Sequence, residues 1–234
     1  MVTLSRVRLP VGRRDPWLVV GSLSALAFLV VAMLVVRRGS LPFDEAFSAF
    51  IQGLPAPRVF WEFCSGAGGS TVAVVGVTSV VIATLVGRPR LAIILAGTML
   101  ASLLFTDIVK ELVERPRPPG ADLVETSGWS FPSSHALSCT TTYGILAVVV
   151  WRTSWPRRLR LAAIAAGVTV PIMVGLSRIG LDVHYPSDVL GGWLAGVVFI
   201  AIAATLISTT EAMDRNRLRG PPPPPSDRTT GPGD

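Results

Sequence analysis

Charge is scarce in this chain: 15% of its 234 residues are Asp, Glu, Lys or Arg, against about 25% in ordinary soluble domains. The charges are also unevenly spread, and long windows hold none. Half of the residues are hydrophobic, and the mean hydropathy is +0.56. A soluble globular domain is excluded. A bilayer core of about 30 Å asks for roughly 20 apolar residues in helical form, and several windows meet that length. Cysteine is nearly absent as well. Cys64 and Cys139 fall in different apolar segments, which excludes a disulfide framework or a cysteine-based metal site. Lysine occurs once, at Lys110, and histidine twice, at His135 and His184. The formal net charge is +6, but the arginines stand at the ends of apolar runs. That placement orients spans and does not make a nucleic-acid surface, so no nucleic-acid partner is expected.

The charge-free windows predict an all-α, polytopic membrane protein with six transmembrane helices, at roughly 17–36, 66–87, 91–109, 136–151, 161–178 and 188–208. The first window follows a basic segment, residues 1–16, but is longer than a signal-peptide core and has no small-x-small site before Arg37. It reads as a retained span. Between the first two spans, Phe43, Phe47, Phe50, Ile51 and Leu54 recur at helical spacing, with Asp44, Glu45, Ser48 and Gln52 elsewhere on the wheel. This predicts an amphipathic helix lying in the interface; a packed connector is the alternative. Residues 17–210 form the six-span domain. Residues 211–234 are polar, carry five consecutive prolines from Pro221 to Pro225, and are expected to be a disordered cytoplasmic tail. With both termini cytoplasmic, the basic residues divide about two to one in favour of the inside, as positive-inside topology requires.

The lone lysine and both histidines fall in or beside two outer loops, 110–135 and 177–188. Ionisable groups at membrane depth are costly and mark function. Lys110 and Arg117 lie seven residues apart, two helical turns, and would share a face if the helix ran that far; Pro116 and Pro118 work against that. Phe131-Pro132-Ser133-Ser134-His135 leads into the fourth span, where a helix N-terminus offers free N–H groups to an anion. Ser177-Arg178 precedes His184-Tyr-Pro-Ser-Asp188, in which Asp188 could reach back to fix the His184 tautomer and leave its other nitrogen free to attack. Each piece alone also reads blandly, as flanking charge, helix-capping serines or a capping aspartate. Together they meet the needs of phosphoryl transfer: cations around the equatorial oxygens, an in-line nucleophile and an acid for the leaving oxygen. Lys110, Arg117 and Arg178 supply the cations, His184 the nucleophile and His135 the acid. No His, Cys or carboxylate ligand set accompanies them, so no metal and no other cofactor is expected.

Lys110-x6-Arg117-Pro118, then Pro132-Ser133-Ser134-His135, then Ser177-Arg178-x5-His184-x3-Asp188 resemble the three signature motifs of the type 2 phosphatidic acid phosphatase superfamily. The resemblance implies a six-helix membrane fold and metal-independent dephosphorylation through a phosphohistidine. It makes His184 the nucleophile, Asp188 its partner and His135 the general acid, with Lys110, Arg117, Ser133, Ser134 and Arg178 cradling the phosphate. One residue departs from the pattern: Ser134 stands where the family usually has glycine. The expected partners are a membrane lipid substrate and the bilayer itself, and the sequence sets no oligomeric state. A polyprenyl (undecaprenyl) diphosphate is the leading substrate. Phosphatidylglycerophosphate and phosphatidic acid are alternatives, as is a lipid phosphotransferase using the same intermediate. The arginine-rich composition points to a bacterial inner (plasma) membrane, with the site on the extracytoplasmic face.

Overall fold

A computed structural model describes residues 15–119 and 128–218. Residues 1–14 of the expected basic segment 1–16, and the five prolines, lie outside the described residues. Among those described there is no strand. The helices are α1 (Pro16–Arg38), α2 (Pro42–Gln52), α3 (Arg58–Gly66), α4 (Ser70–Leu85), α5 (Pro89–Val113), α6 (Ser134–Trp151), α7 (Arg157–Gly180) and α8 (Pro186–Leu218). Proline opens several of them. Pro16, Pro42, Pro89 and Pro186 take the first helical position, where the missing N–H would have had no helical partner anyway.

Five passages are long and apolar enough to cross a membrane: Pro16–Arg38, Arg58–Leu85, Pro89–Val113, Arg157–Gly180 and Pro186–Asp214. The fourth expected span is α6, which is not among them. Its first half is rich in Ser, His and Thr, and it is the helix the others surround, packing on α4, α5, α7 and α8. A helix shielded from lipid by its neighbours has no need of an apolar circumference. By contrast Leu18, Leu23, Leu26 and Leu29 of α1 are all well exposed, as side chains facing acyl chains should be.

Three expectations need correcting. The second span does not start at 66: helix begins at Arg58, breaks over 67–69 and resumes at Ser70. The break is where glycines allow close approach. A Cβ on Gly68 would come within 2.5 Å of Val174 Cγ1 and 3.1 Å of His135 Cδ2. Second, α8 does not end near 210 but continues to Leu218. Ion pairs Arg152–Glu211 and Arg90–Asp214 tie this polar extension to the C-terminal end of α6 and the first turn of α5. Third, α2 is amphipathic in an unexpected sense. Phe43, Phe47 and Phe50 are exposed, whereas Asp44 is 0% exposed and Ile51 is buried. Its polar-wheel aspartate points into the protein, against α7 and α8.

The core that positions the turn before α6 is aromatic. Phe28 stacks on Phe131 at 5.8 Å between centroids and tilts against Phe105 at 5.5 Å, and Phe105 meets Phe199 edge-on at 5.6 Å. Four segments are thereby joined, and the fully buried Phe131 anchors the turn before Ser133. Glycine on α8 completes the fit. A Cβ on Gly192 would sit 2.7 Å from the Ser133 carbonyl oxygen and 2.9 Å from Ala136 Cβ, so α6 and α8 touch backbone to backbone. Gly192→Val is therefore expected to destabilise the protein by about 1–3 kcal/mol through overpacking. Gly97→Ala, where nothing lies within 4 Å, is expected to be neutral or slightly stabilising. Thermal unfolding in detergent checks both, and equal melting temperatures for the two variants would contradict this packing.

Candidate active site

The three sequence segments meet at the N-terminal end of α6. The first does so without the shared helix face. α5 stops at Val113, and Glu114 turns left-handed at φ 47, so Arg117 is not on the Lys110 face of α5. Instead the Pro116-Arg117-Pro118 stretch folds back. Ser130 N–H donates to the Arg115 carbonyl at 2.8 Å, and Arg117 Nε donates to the Gly128 carbonyl at 3.0 Å. These bonds close the loop and carry Arg117 onto the third segment, where its NH1 donates to the Val183 carbonyl at 3.0 Å and lies 3.3 Å from His184 Nε2.

That last contact fixes the His184 tautomer. A guanidinium can only donate, so Nε2 accepts and the ring proton sits on Nδ1. Nδ1 faces two oxygens: Ser130 Oγ at 3.3 Å and Asp188 Oδ2 at 3.5 Å. Ser130 Oγ itself donates to Asp188 Oδ2, which leaves its lone pairs free for the Nδ1 proton. Asp188 also accepts from the Tyr185 N–H at 2.8 Å. It thus caps α8 and faces His184 at once, because it sits inside the first turn that starts at Pro186. His184 is 2% exposed. Burial lowers its pKa from 6.5 to about 4, against the pull of Asp188, while Arg117 and Arg178 push it down further. The resting ring is a neutral imidazole with an unprotonated Nε2.

The cations divide into two kinds. Arg178, at the end of α7, donates NH1 to Ser65 Oγ of α3 at 2.7 Å, and its Nε has no partner. Lys110 is half-buried at the end of α5. Among the described residues neither meets a carboxylate within ion-pair distance. Lys110, Arg117, Arg178 and His184 all lie within electrostatic reach of His135, so the four expected ionic groups converge around it. Unneutralised cations in a confined site suit a phosphate dianion. Ser133 N–H is engaged by the Asp188 carbonyl at 3.0 Å, but its buried Oγ has no partner, although an N-cap serine ordinarily bonds its own helix. Ser134 is the first residue of α6 and is not among the positive-φ residues. No Gly-only conformation is required there.

Arg115 is the other kind of cation. It is 3% exposed, bonds Asp188 Oδ1 at 2.5 Å and Ser187 Oγ at 2.7 Å through NH1, and bonds Asp44 Oδ2 at 2.8 Å through NH2. The sequence pattern placed Asp44 on the polar side of an amphipathic helix and gave Arg115, Ser130 and Ser65 no role. Neither Arg115 nor Asp44 has a spacing signal that separates it from ordinary flanking charge; a carboxylate within a Phe-rich helix was the one available hint.

The family model described as PAP2 superfamily matches residues 91–211. Phosphatidylglycerophosphatase B of Bacillus subtilis is 37% identical over 97 residues, 41% of this chain and 47% of that protein. A decaprenylphosphoryl-5-phosphoribose phosphatase of Mycobacterium tuberculosis is 33% identical over 120 residues, 48% of this chain and 55% of that protein. The chain thus matches about half the length of these curated relatives. The crystal structure of a transmembrane PAP2-type phosphatidylglycerolphosphate phosphatase from Bacillus subtilis shares the fold, with a TM-score of 0.70 at 22% identity, covering 81% of this chain and 96% of that one.

The buried imidazole can be tested directly. With two histidines in the chain, ring ¹⁵N spectra in detergent contain two sets of signals, assigned with His184→Gln. His184 is expected to remain neutral at about pH 5.5, where an unperturbed histidine is mostly protonated. Because its folded pKa is depressed from 6.5 to about 4, protonation favours the unfolded chain: this contribution to stability is intact above about 6.5 and is lost as pH falls towards about 4. A His184 signal titrating near 6.5 would contradict the arrangement.

Proposed function

The chain belongs to the PAP2 superfamily, a family of membrane lipid phosphatases, and from that footing we propose that it hydrolyses a phosphate from a membrane lipid through a phosphohistidine at His184. The observation that carries this reading is the polarised imidazole. Nδ1–H is held by Ser130 and Asp188, and Nε2 turns toward Arg117 in a site with two cations, Lys110 and Arg178, that meet no carboxylate within ion-pair distance among the described residues.

In the proposed reaction the phosphoryl group rests among Lys110, Arg117, Arg178, Ser133 Oγ and the free N–H groups of α6, at Ser134 and His135. The Nε2 lone pair forms a bond to phosphorus as the bond to the lipid oxygen breaks. That oxygen takes a proton from His135. Positive charge developing on the His184 ring is stabilised through Nδ1–H by Ser130 and Asp188. Water then gives its proton to His135 and attacks phosphorus, the N–P bond breaks, and inorganic phosphate leaves with both histidines restored. Cations occupy the role a metal would otherwise fill, and no group of three His, Cys, Asp or Glu among the described residues is placed to hold one.

Support for a lipid over a soluble ester comes from a groove of about 540 Å³ beside His135 and Ser134. Its walls are small and apolar, including Gly68, Gly69, Ala73, Gly76 and Met99, and it follows α4 as far as Val81. The helical rise from Gly69 to Val81 amounts to about 18 Å, close to the depth of one leaflet of a roughly 30 Å core. A hydrocarbon tail can lie there with its phosphate at His135. We take the membrane to be a bacterial plasma membrane and the site to face outward. A polyprenyl diphosphate remains the leading substrate, ahead of phosphatidylglycerophosphate and phosphatidic acid.

Phosphate release by the purified protein from those three lipids tests the reading. Activity is expected to persist in EDTA, and His184→Ala is expected to lose at least about 10³-fold in kcat. Retention of a tenth of the wild-type rate would rule out the phosphohistidine, and activity lost to EDTA and restored by Mg²⁺ would rule out metal independence. Sidedness is a separate expectation. After Cys64 and Cys139 are replaced, an impermeant thiol reagent should label Gly128→Cys in intact cells and leave Ser154→Cys unlabelled. The opposite pattern would put the chemistry in the cytoplasm.

A further inference from the structure

The reaction above uses His184, His135, Asp188, Ser130 and the phosphate cradle. It leaves unexplained a buried ionic cluster directly behind Asp188. Arg115 bridges two carboxylates that are each 0% exposed, Asp44 and Asp188. Asp44 is also bonded by Ser187 N–H at 2.8 Å, Ser187 Oγ at 2.7 Å and Leu41 N–H at 2.9 Å. One side chain of α2 therefore holds the start of its own helix, the first turn of α8 and the guanidinium that faces Asp188. The Tyr185 ring covers that guanidinium, with its centroid 4.1 Å from Arg115 Cζ.

We propose that Asp44 and Arg115 are positioning residues for catalysis, acting through Asp188 to hold His184 in its attacking tautomer, so that α2 is part of the active-site frame. This rests on the phosphohistidine reading. Asp188 can receive the Nδ1 proton only as a carboxylate, and a carboxylate without solvent needs a fixed cation. Arg115 provides it. Arg115 in turn needs a second anchor, because a guanidinium bonded to Asp188 alone could swing and draw the carboxylate away from Nδ1. Asp44 is that anchor, and through Ser187 it also fixes the residue next to Asp188. Lysine at 115 would keep the charge but lose the planar fork that serves both carboxylates.

The experiment compares Asp44→Asn, Arg115→Lys, Arg115→Gln and the Asp44→Asn/Arg115→Gln double variant in detergent. Melting temperature, kcat, KM and the His184 ring ¹⁵N signals are measured. Asp44→Asn and Arg115→Lys should lower kcat by about tenfold or more with KM within about threefold, and the His184 signals should show proton population on Nε2. Arg115→Gln strands two buried carboxylates and should be the least stable variant. The double variant removes one of them and should regain stability without regaining kcat. If the double variant recovers kcat together with stability, or if Asp44→Asn keeps kcat within twofold with an unchanged His184 tautomer, the cluster is only a structural clamp. Should Arg115→Gln fail to fold, Asp44→Asn and Arg115→Lys decide the question alone. Loss of His184 dependence in the wild type would instead remove the underlying mechanism, an outcome the His184→Ala assay reports separately.

Discussion

A carboxylate moved out of water is costly unless it is paired and hydrogen-bonded on every side, and Asp188 is a carboxylate with no exposure at all. Three segments supply its partners. Arg115 comes from the loop after α5, Ser130 from the turn before α6, and both His184 and the Tyr185 N–H from the end of the α7–α8 connection. In the proposed mechanism these are the segments that converge for phosphoryl transfer. The requirement to solvate one buried charge with protein groups would then also assemble the site. Residues used for stability overlap there with those the proposal uses for chemistry: Asp188 both caps α8 and faces His184.

The remaining charge follows a complementary rule. Arg115 is neutralised by two carboxylates, whereas Lys110 and Arg178 meet none within ion-pair distance among the described residues. Arg178 rests on a serine hydroxyl with one nitrogen unpartnered, and Ser133 Oγ is unpartnered too. Buried donors left without partners inside a membrane protein are expensive. Under the proposed function, Arg178 Nε and Ser133 Oγ are donors that a bound phosphate would engage. Hydroxyls further down α5 behave differently. Thr98, Ser102 and Thr106 each bond back to a carbonyl one turn earlier, so they are satisfied locally and offer a ligand nothing.

Much of this was legible in the sequence because hydropathy and proline act locally. Five of the six expected spans lie on passages apolar enough to cross a membrane, and the sixth, α6, was found from its charge-free stretch although its Ser- and Thr-rich half is shielded by protein. Lys110, His135, Arg178, His184 and Asp188 stood out because ionisable side chains are so few between the apolar runs. What escaped was set by tertiary contact. Asp44 lies 143 residues from Ser187 and Arg115 lies 73 from Asp188, and no local pattern encodes such pairings. The break at 67–69 was hidden for a related reason: its glycines look like tolerated small residues in an apolar run, and their purpose appears only when Val174 and His135 occupy the space a side chain would need. The polar end of α8 looked like tail because its stabilising arginines, Arg90 and Arg152, belong to other helices.

The serine at 134 shows how a departure from a family pattern can be absorbed. Glycine would be needed there if the backbone had to adopt positive φ or if a side chain blocked the approach of phosphate. The first condition does not hold. Positive φ among the described non-glycine residues is confined to Glu114 and Asp182, and Ser134 is the opening residue of α6, a position in the ordinary helical region. Its side chain lines the groove beside His135, on the side where the proposed lipid tail would leave the site. The close approach that demands glycine has moved elsewhere, to Gly192 of α8, whose missing Cβ lets the Ser133 carbonyl come in, and to Gly68, whose missing Cβ makes room for the His135 ring. Backbone freedom is thus supplied by neighbouring helices, and the residue in the motif itself is released to carry a hydroxyl at the mouth of the groove.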